Sequence, residues 1–147
     1  MKITDALRAV GRLFLDTAPV LYHVEGVAAY QPLTDFVFQG ISSGTCEAAT
    51  SPITLAECLV HSFQKRDTAL VQQFRQVITA GAHTRYMSLD AAAESAAELR
   101  ARYNLSLTDA FQIAAALAAD CDAFLTNDLG LKRVQELTIL VLDELEI

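Results

Sequence analysis

The sequence predicts an α/β fold: a three-layer α/β/α sandwich around a central, mostly parallel sheet. Three observations predict it. Short apolar β-like runs alternate with longer helical stretches over almost the whole chain, and strands separated by helices require crossover connections and hence parallel pairing. The stretch from Leu107 to Ala119 is apolar nearly all round, the mark of a central buried helix. Four carboxylates, Asp16, Glu57, Asp109 and Asp128, each fall where a β-like run ends or where the next helix begins. In an open α/β fold those positions collect at one edge of the sheet.

The elements follow in order. Residues 1–11 form an N-terminal extension with an apolar helical face of Ile3, Ala6, Leu7 and Val10. Residues 12–147 read as a single domain that opens with a buried strand from Arg12 to Asp16. Helices are predicted from about Thr17 to Val24 and from about Ala28 to Gln39, the latter ended by the turn-rich Gly40-Ile41-Ser42-Ser43-Gly44. Cys46 to Ser51 is a second strand, although Glu47, Ala48 and Ala49 are poor strand formers. Helices follow from about Leu55 to Lys65 and from Thr68 to Thr79, then a strand from Thr84 to Ser88. The alanine-rich Ala91–Tyr103 is helical and precedes the central helix, after which Ala123 to Thr126 and Leu137 to Leu142 supply the last two strands.

At 147 residues, 52% hydrophobic and 20% charged, the chain is long enough to bury a substantial core and is not disordered in composition. The longest apolar stretch, Ile113 to Ala119, is far short of the roughly 20 residues that span a bilayer. Charges at Lys2, Asp5, Arg8 and Arg12 leave no apolar core for a signal peptide, and the odd trio Cys46, Cys58 and Cys121 fits reduced thiols, so a cytoplasmic protein is expected. The net charge of −7 argues against tight binding of nucleic acid by bulk electrostatics. It does not exclude an enzyme that meets phosphate through metal ions, since the four acids alone account for over half of that charge.

Four acids gathered at one edge would repel one another unless cations sat between them. That predicts a site for Mg²⁺ or Mn²⁺, hard ions that prefer oxygen ligands, and a phosphodiester substrate. Each acid also has a purely structural reading. Asp16 could be the N-cap of the helix starting at Thr17, and Asp128 the cap of the turn from Leu129 to Arg133. Thr54 with Glu57, and Ser106 with Asp109, have capping-box spacing. Those readings do not explain why all four acids stand at equivalent points of successive elements, and a helix N-terminus also helps to keep a ligand carboxylate ionised.

The phrases FLDT, ITLAE, LTDAFQIAAA and LTND, in this order, resemble the PIN-domain ribonucleases, and in particular the VapC-like toxins of type II toxin–antitoxin pairs, over about Arg12 to Leu142. The resemblance implies a PIN-like sandwich and metal-dependent hydrolysis of RNA. It implies that Asp16, Glu57, Asp109 and Asp128 are the catalytic, metal-binding acids, with Thr17 and Thr126 beside them as supporting residues. It further implies an antitoxin partner and a homodimer. Lys132 and Arg133, just after Asp128, are candidate contacts to RNA phosphate, and Lys65 and Arg66 weaker ones. The extra residues 1–11, and Leu129-Gly130-Leu131 where the family often has an aromatic, depart from its pattern.

Other chemistries fit less well. A phosphatase of the haloacid dehalogenase type needs a second Asp two residues after the first, where Ala18 stands. Glu57, Cys58 and His61 offer only part of a zinc site. No glycine pattern of a nucleotide-binding loop is present. A non-catalytic PIN-like interaction module would be expected to lack one or more of the acids, and an RNA-processing nuclease would act without an antitoxin.

Overall fold

The computed structural model describes all 147 residues. Five parallel strands form one sheet: β1 (Arg12–Leu15), β2 (Glu47–Thr50), β3 (Thr84–Tyr86), β4 (Ala123–Thr126) and β5 (Thr138–Val141), in the order β3-β2-β1-β4-β5. The chain builds outward from β1 through β2 to β3, then crosses to the other side of β1 to lay down β4 and β5. The order therefore reverses at β1/β4, and the crevice beyond the carboxyl ends of those strands is the point at which open α/β sheets bind ligands.

Seven helices cover the sheet: α1 (Ile3–Ala6), α2 (Thr17–Glu25), α3 (Gln31–Ser42), α4 (Pro52–Gln64), α5 (Thr68–Ala80), α6 (Ala93–Tyr103) and α7 (Leu107–Ala118). Because successive strand residues point to opposite faces, each strand feeds two cores. Leu13, Leu15, Ala48, Ala123, Leu125 and Leu140 pack with residues of α1 to α5, including Val20, Val37, Cys58 and Phe74. Phe14, Ala49 and Phe124 face the other way, against Ala96 and Leu99 of α6 and Ala110, Ile113 and Ala114 of α7. Phe14 and Phe124 stack at 5.1 Å between ring centroids on paired strands. No helix is long and apolar enough to cross a membrane.

The predicted order of elements is the observed one, with three boundaries shifted by three residues. One is the end of α3, which continues from Gln39 through Gly40 and Ile41 to Ser42 because Ile41 extends the buried stripe of Leu33 and Val37. Helix α3 begins at Gln31, not near Ala28, with Pro32 in its first turn: a residue before proline disfavours helical backbone, while proline itself suits a helix start. Helix α4 begins at Pro52, where Leu55 was expected. Ser51 is its cap, accepting from the Ile53 N–H at 3.1 Å. That removes the Thr54/Glu57 capping box and places Glu57 in the second turn, free of the helix start. The apolar face of residues 1–11 covers the first core: Ile3 is fully buried there, Ala6, Leu7 and Val10 pack against it, and the Ile3 N–H bonds Glu146 O at 2.8 Å.

Candidate active site

All four predicted acids line one open cleft of about 350 Å³, together with Thr17, Ala18, Leu21, Tyr22, Thr126 and Asn127. A groove of about 560 Å³ between the N-terminal segment and α3 is larger, but no carboxylate lines it. The four carboxylates all stand in the smaller cleft. It lies at the β1/β4 switch point, where the Asp16 N–H continues the sheet ladder by bonding Leu125 O at 3.0 Å.

Asp16 is the centre of the arrangement. It occupies the N-cap position of α2, yet its side chain makes no capping bond. Its carboxylate instead accepts from the Thr126 hydroxyl at 2.8 Å and from Gln112 Nε2 at 3.3 Å. Burial pushes the Asp16 carboxyl above its ordinary range. The Asp109 charge adds to the rise, and the bonds from Thr126, the Thr17 backbone and Gln112 oppose it. Although the residue retains some exposed surface, its acid group is heavily desolvated, because its neighbours are buried.

The other three acids are more open. Glu57 accepts from the Thr17 hydroxyl at 2.8 Å, which ties α4 to the first turn of α2. Asp109 lies in the first turn of α7; Ser106 caps that helix through the Asp109 N–H, and the Asp109 carboxylate has no hydrogen-bond partner in the chain. Asp128 accepts from the Gly130 N–H at 2.8 Å and so caps the 3-10 turn Leu129–Arg133. Cap and cleft position coincide here. The Thr17→Val substitution removes the bond to Glu57 while keeping volume. It is expected to lower turnover by about ten-fold, as loss of a supporting hydrogen bond does, with a stability change within about 1 kcal/mol. Initial rates and thermal melts of the same preparation check both.

Gln112, which the sequence reading did not single out, is a buried residue that holds Asp16. It is buried on α7, donating to Thr54 Oγ1 at 2.8 Å and to Asp16, and accepting from the Ser51 hydroxyl. The available signal is a lone polar residue in an apolar helix, three positions after Asp109 and so on the same face. Asn127 is the second such residue. Its Oδ1 accepts from the Asp143 N–H at 2.9 Å and its Nδ2 donates to Tyr30 OH at 3.1 Å, which fixes the loop between Thr126 and Asp128.

Lys132 and Arg133 do not line the cleft. Lys132 pairs with Glu144 at 2.6 Å, and Arg133 spends its guanidinium on the carbonyls of Tyr103, Asn104 and Gly130. Lys65 pairs with Glu25. The partial zinc set does not assemble: Cys58 is fully buried, and desolvation pushes its thiol up to about 12.

No three His, Cys, Asp or Glu side chains converge closely enough to hold a metal ion, so the acids frame the cleft without chelating a common point. The donor chemistry nevertheless fits a hard divalent cation. Every candidate ligand is a carboxylate, Asp109 is uncommitted, and a nearby cation would relieve the desolvated Asp16 of its repulsion from Asp109.

The sequence profile of the PIN domain matches residues 13–137, a span containing all four acids. No curated protein sequence matches the chain. Among solved structures, VapBC2 from Rickettsia felis bound to a DNA fragment from their promoter is similar, with a TM-score of 0.70 and 16% identity over 88% of this chain and 98% of that one. A toxin–antitoxin complex from Klebsiella pneumoniae gives a TM-score of 0.65 and 17% identity over 88% and 97%. A sarcin–ricin-loop-cleaving VapC toxin from Mycobacterium tuberculosis gives 0.61 and 16% over 76% and 86%. At these identities the likeness establishes a shared fold.

Proposed function

The chain belongs to the PIN-domain family, and from that premise we propose that it is a metal-dependent endoribonuclease acting as the toxin of a toxin–antitoxin pair. The observation that carries this reading is the single cleft lined by Asp16, Glu57, Asp109 and Asp128 at the sheet's switch point. The toxin role rests on the solved structures of similar fold, three of which are VapBC or toxin–antitoxin complexes. An antitoxin partner, a homodimer and a cytoplasmic setting belong to the same proposal. The three free thiols, Cys46, Cys58 and Cys121, accord with that setting.

Asp16, Asp109 and Asp128 would hold Mg²⁺ or Mn²⁺. Such an ion supplies a water of lowered pKa and charge compensation for a phosphodiester under attack. Thr126 and Gln112 orient Asp16, and they favour its ionised form against the desolvation that opposes it. Thr17 holds Glu57 at the cleft wall, where its carboxylate can accept a proton from an attacking water. Asn127 keeps the Thr126–Asp128 loop in register with Tyr30 and Asp143.

Incubating the purified protein with a pool of structured RNAs in Mg²⁺, Mn²⁺ or EDTA tests the proposal. Cleavage at discrete positions in the metal arms, with none in EDTA, is the expected result. A protein inert towards every RNA and metal tried would favour the interaction-module reading.

A further inference from the structure

The eleven lysines and arginines are distributed unevenly between structural and free roles. Lys2, Arg8, Arg12, Lys65, Arg102 and Lys132 bond carboxylates or the C-terminal residue, and Arg100 and Arg133 bond backbone carbonyls. Three guanidiniums, those of Arg66, Arg75 and Arg85, make no hydrogen bond or ion pair. Two of these three, Arg66 and Arg75, line the same small depression of about 220 Å³ at the corner between α4 and α5, with Phe63, Thr68 and Gln72. The one carboxylate there, Asp67, is turned to its own helix and accepts from the Leu70 N–H at 3.0 Å. Phe63 is 59% exposed, an unusual position for a phenylalanine.

The depression lies on the same helix as Glu57. Phe63 stands six positions after Glu57 on α4, on the order of 9 Å along the axis and about a third of a turn around it. Val60, also exposed, lies between them. A strand leaving the cleft along α4 therefore meets an apolar step, an exposed aromatic face and then two unpaired cations. Aromatic faces that stack bases beside cations that meet phosphates are the recurring chemistry of single-stranded nucleic-acid binding. An acidic peptide would use the cations and leave the ring without a role.

We infer that Arg66, Arg75 and Phe63 form a second contact site for the RNA, which grips the backbone of the single strand flanking the scissile bond. The inference rests on the ribonuclease reading above. In this otherwise acidic chain the site supplies the local attraction that the net charge of −7 denies to the surface as a whole. The residues are exposed, so alanine there leaves the fold intact.

The test measures fluorescence anisotropy of a labelled mixed-sequence RNA 20-mer in EDTA across a salt series. It compares the wild type with Arg66→Ala/Arg75→Ala, with Phe63→Ala, and with Arg85→Ala as a control for simple loss of charge. The arginine pair should weaken binding about ten-fold, with the slope of log K against log salt falling by about 0.7 for each guanidinium lost. Phe63→Ala should weaken binding with the slope unchanged, and Arg85→Ala should have little effect. Hydrolysis of bis-p-nitrophenyl phosphate with Mn²⁺, a diester too small to reach the corner, should be the same in all four proteins. Affinity and slope unchanged in the arginine pair would overturn the inference and leave the ribonuclease reading standing. So would an equal loss in Arg85→Ala, or binding of polyglutamate in preference to the RNA. A wild type that neither binds nor cuts RNA would overturn both.

Discussion

Asp16→Asn is expected to lower RNA cleavage on the order of 10³-fold, the loss that corresponds to several kcal/mol of metal-supplied transition-state stabilisation. The variant should be at least as stable as the wild type in EDTA. Asparagine keeps the shape and one acceptor for Thr126 or Gln112, and it removes a desolvated charge that Asp109 repels. The pH dependence follows from the raised Asp16 pKa. In the window between the ordinary carboxylate value and the higher folded value, the folded state binds more protons than the unfolded one. Asp16 therefore lowers stability as pH rises through that window, and its penalty is complete above the folded pKa. Melts in EDTA from about pH 3 to pH 8 should show the Asn variant gaining on the wild type across the window and matching it below. A saturating divalent ion should reverse the order at neutral pH, because it binds the native wild type and not the variant. An Asn variant that cuts RNA at the wild-type rate would remove Asp16 from the site.

Gln112→Ala should be costly to both fold and function. The substitution strips a buried bridge that satisfies Ser51, Thr54 and Asp16 together. Orphaned hydroxyl groups and a cavity cost about 2–4 kcal/mol, which lowers the melting temperature of a chain of this size by roughly 10 °C. Turnover should fall by about 10- to 100-fold, because Asp16 loses one of the groups that orient it and favour its charge. Gln112→Met separates the two effects. It refills the volume and recovers part of the stability but restores no bond to Asp16, so its turnover should stay low. Turnover that recovered in step with stability would mean that Gln112 acts through packing alone.

Much of the fold is legible in the sequence because its local signals agree with its global needs. The runs Leu13-Phe14-Leu15 and Ala123 to Thr126 are buried on both faces and so read as strands without ambiguity. The weak strand β2 is the instructive case. Glu47, Ala48 and Ala49 have little strand preference, and pairing with β1 and β3 decides their conformation. Thr54 and Glu57 imitate a capping box, which puts the sequence-predicted start of α4 at Leu55, three residues late. In the fold Thr54 is buried, with its hydroxyl on Leu15 O at 3.1 Å, while Ser51 and Pro52 start the helix.

The four acids were legible from their places at the ends of elements, and the fold brings all four to one cleft. The groups that hold them were not, apart from Thr17 and Thr126. Gln112 is 96 residues from Asp16, and Asn127 meets Tyr30 across 97, so those pairings exist only once the sheet has reversed direction at β1. Charge was equally opaque. Lys132 and Arg133 look free beside Asp128 in sequence, yet Glu144 and three backbone carbonyls occupy them. Arg66 is free because Lys65, its neighbour, takes Glu25, and Asp67 on its other side accepts from the Leu70 N–H of its own helix.

Asp16, Asp109 and Asp128, with Glu57, are proposed to act as one divalent-metal site that cuts RNA. Calorimetric titration of Mn²⁺ into the wild type and into folded Asp16→Asn and Asp109→Asn variants, with RNA cleavage followed at each metal concentration, tests it most directly. Saturable binding that parallels cleavage in the wild type, with both lost in each variant, is the predicted result. Mn²⁺ binding that is unchanged in the two variants, or cleavage that persists without bound metal, would contradict it.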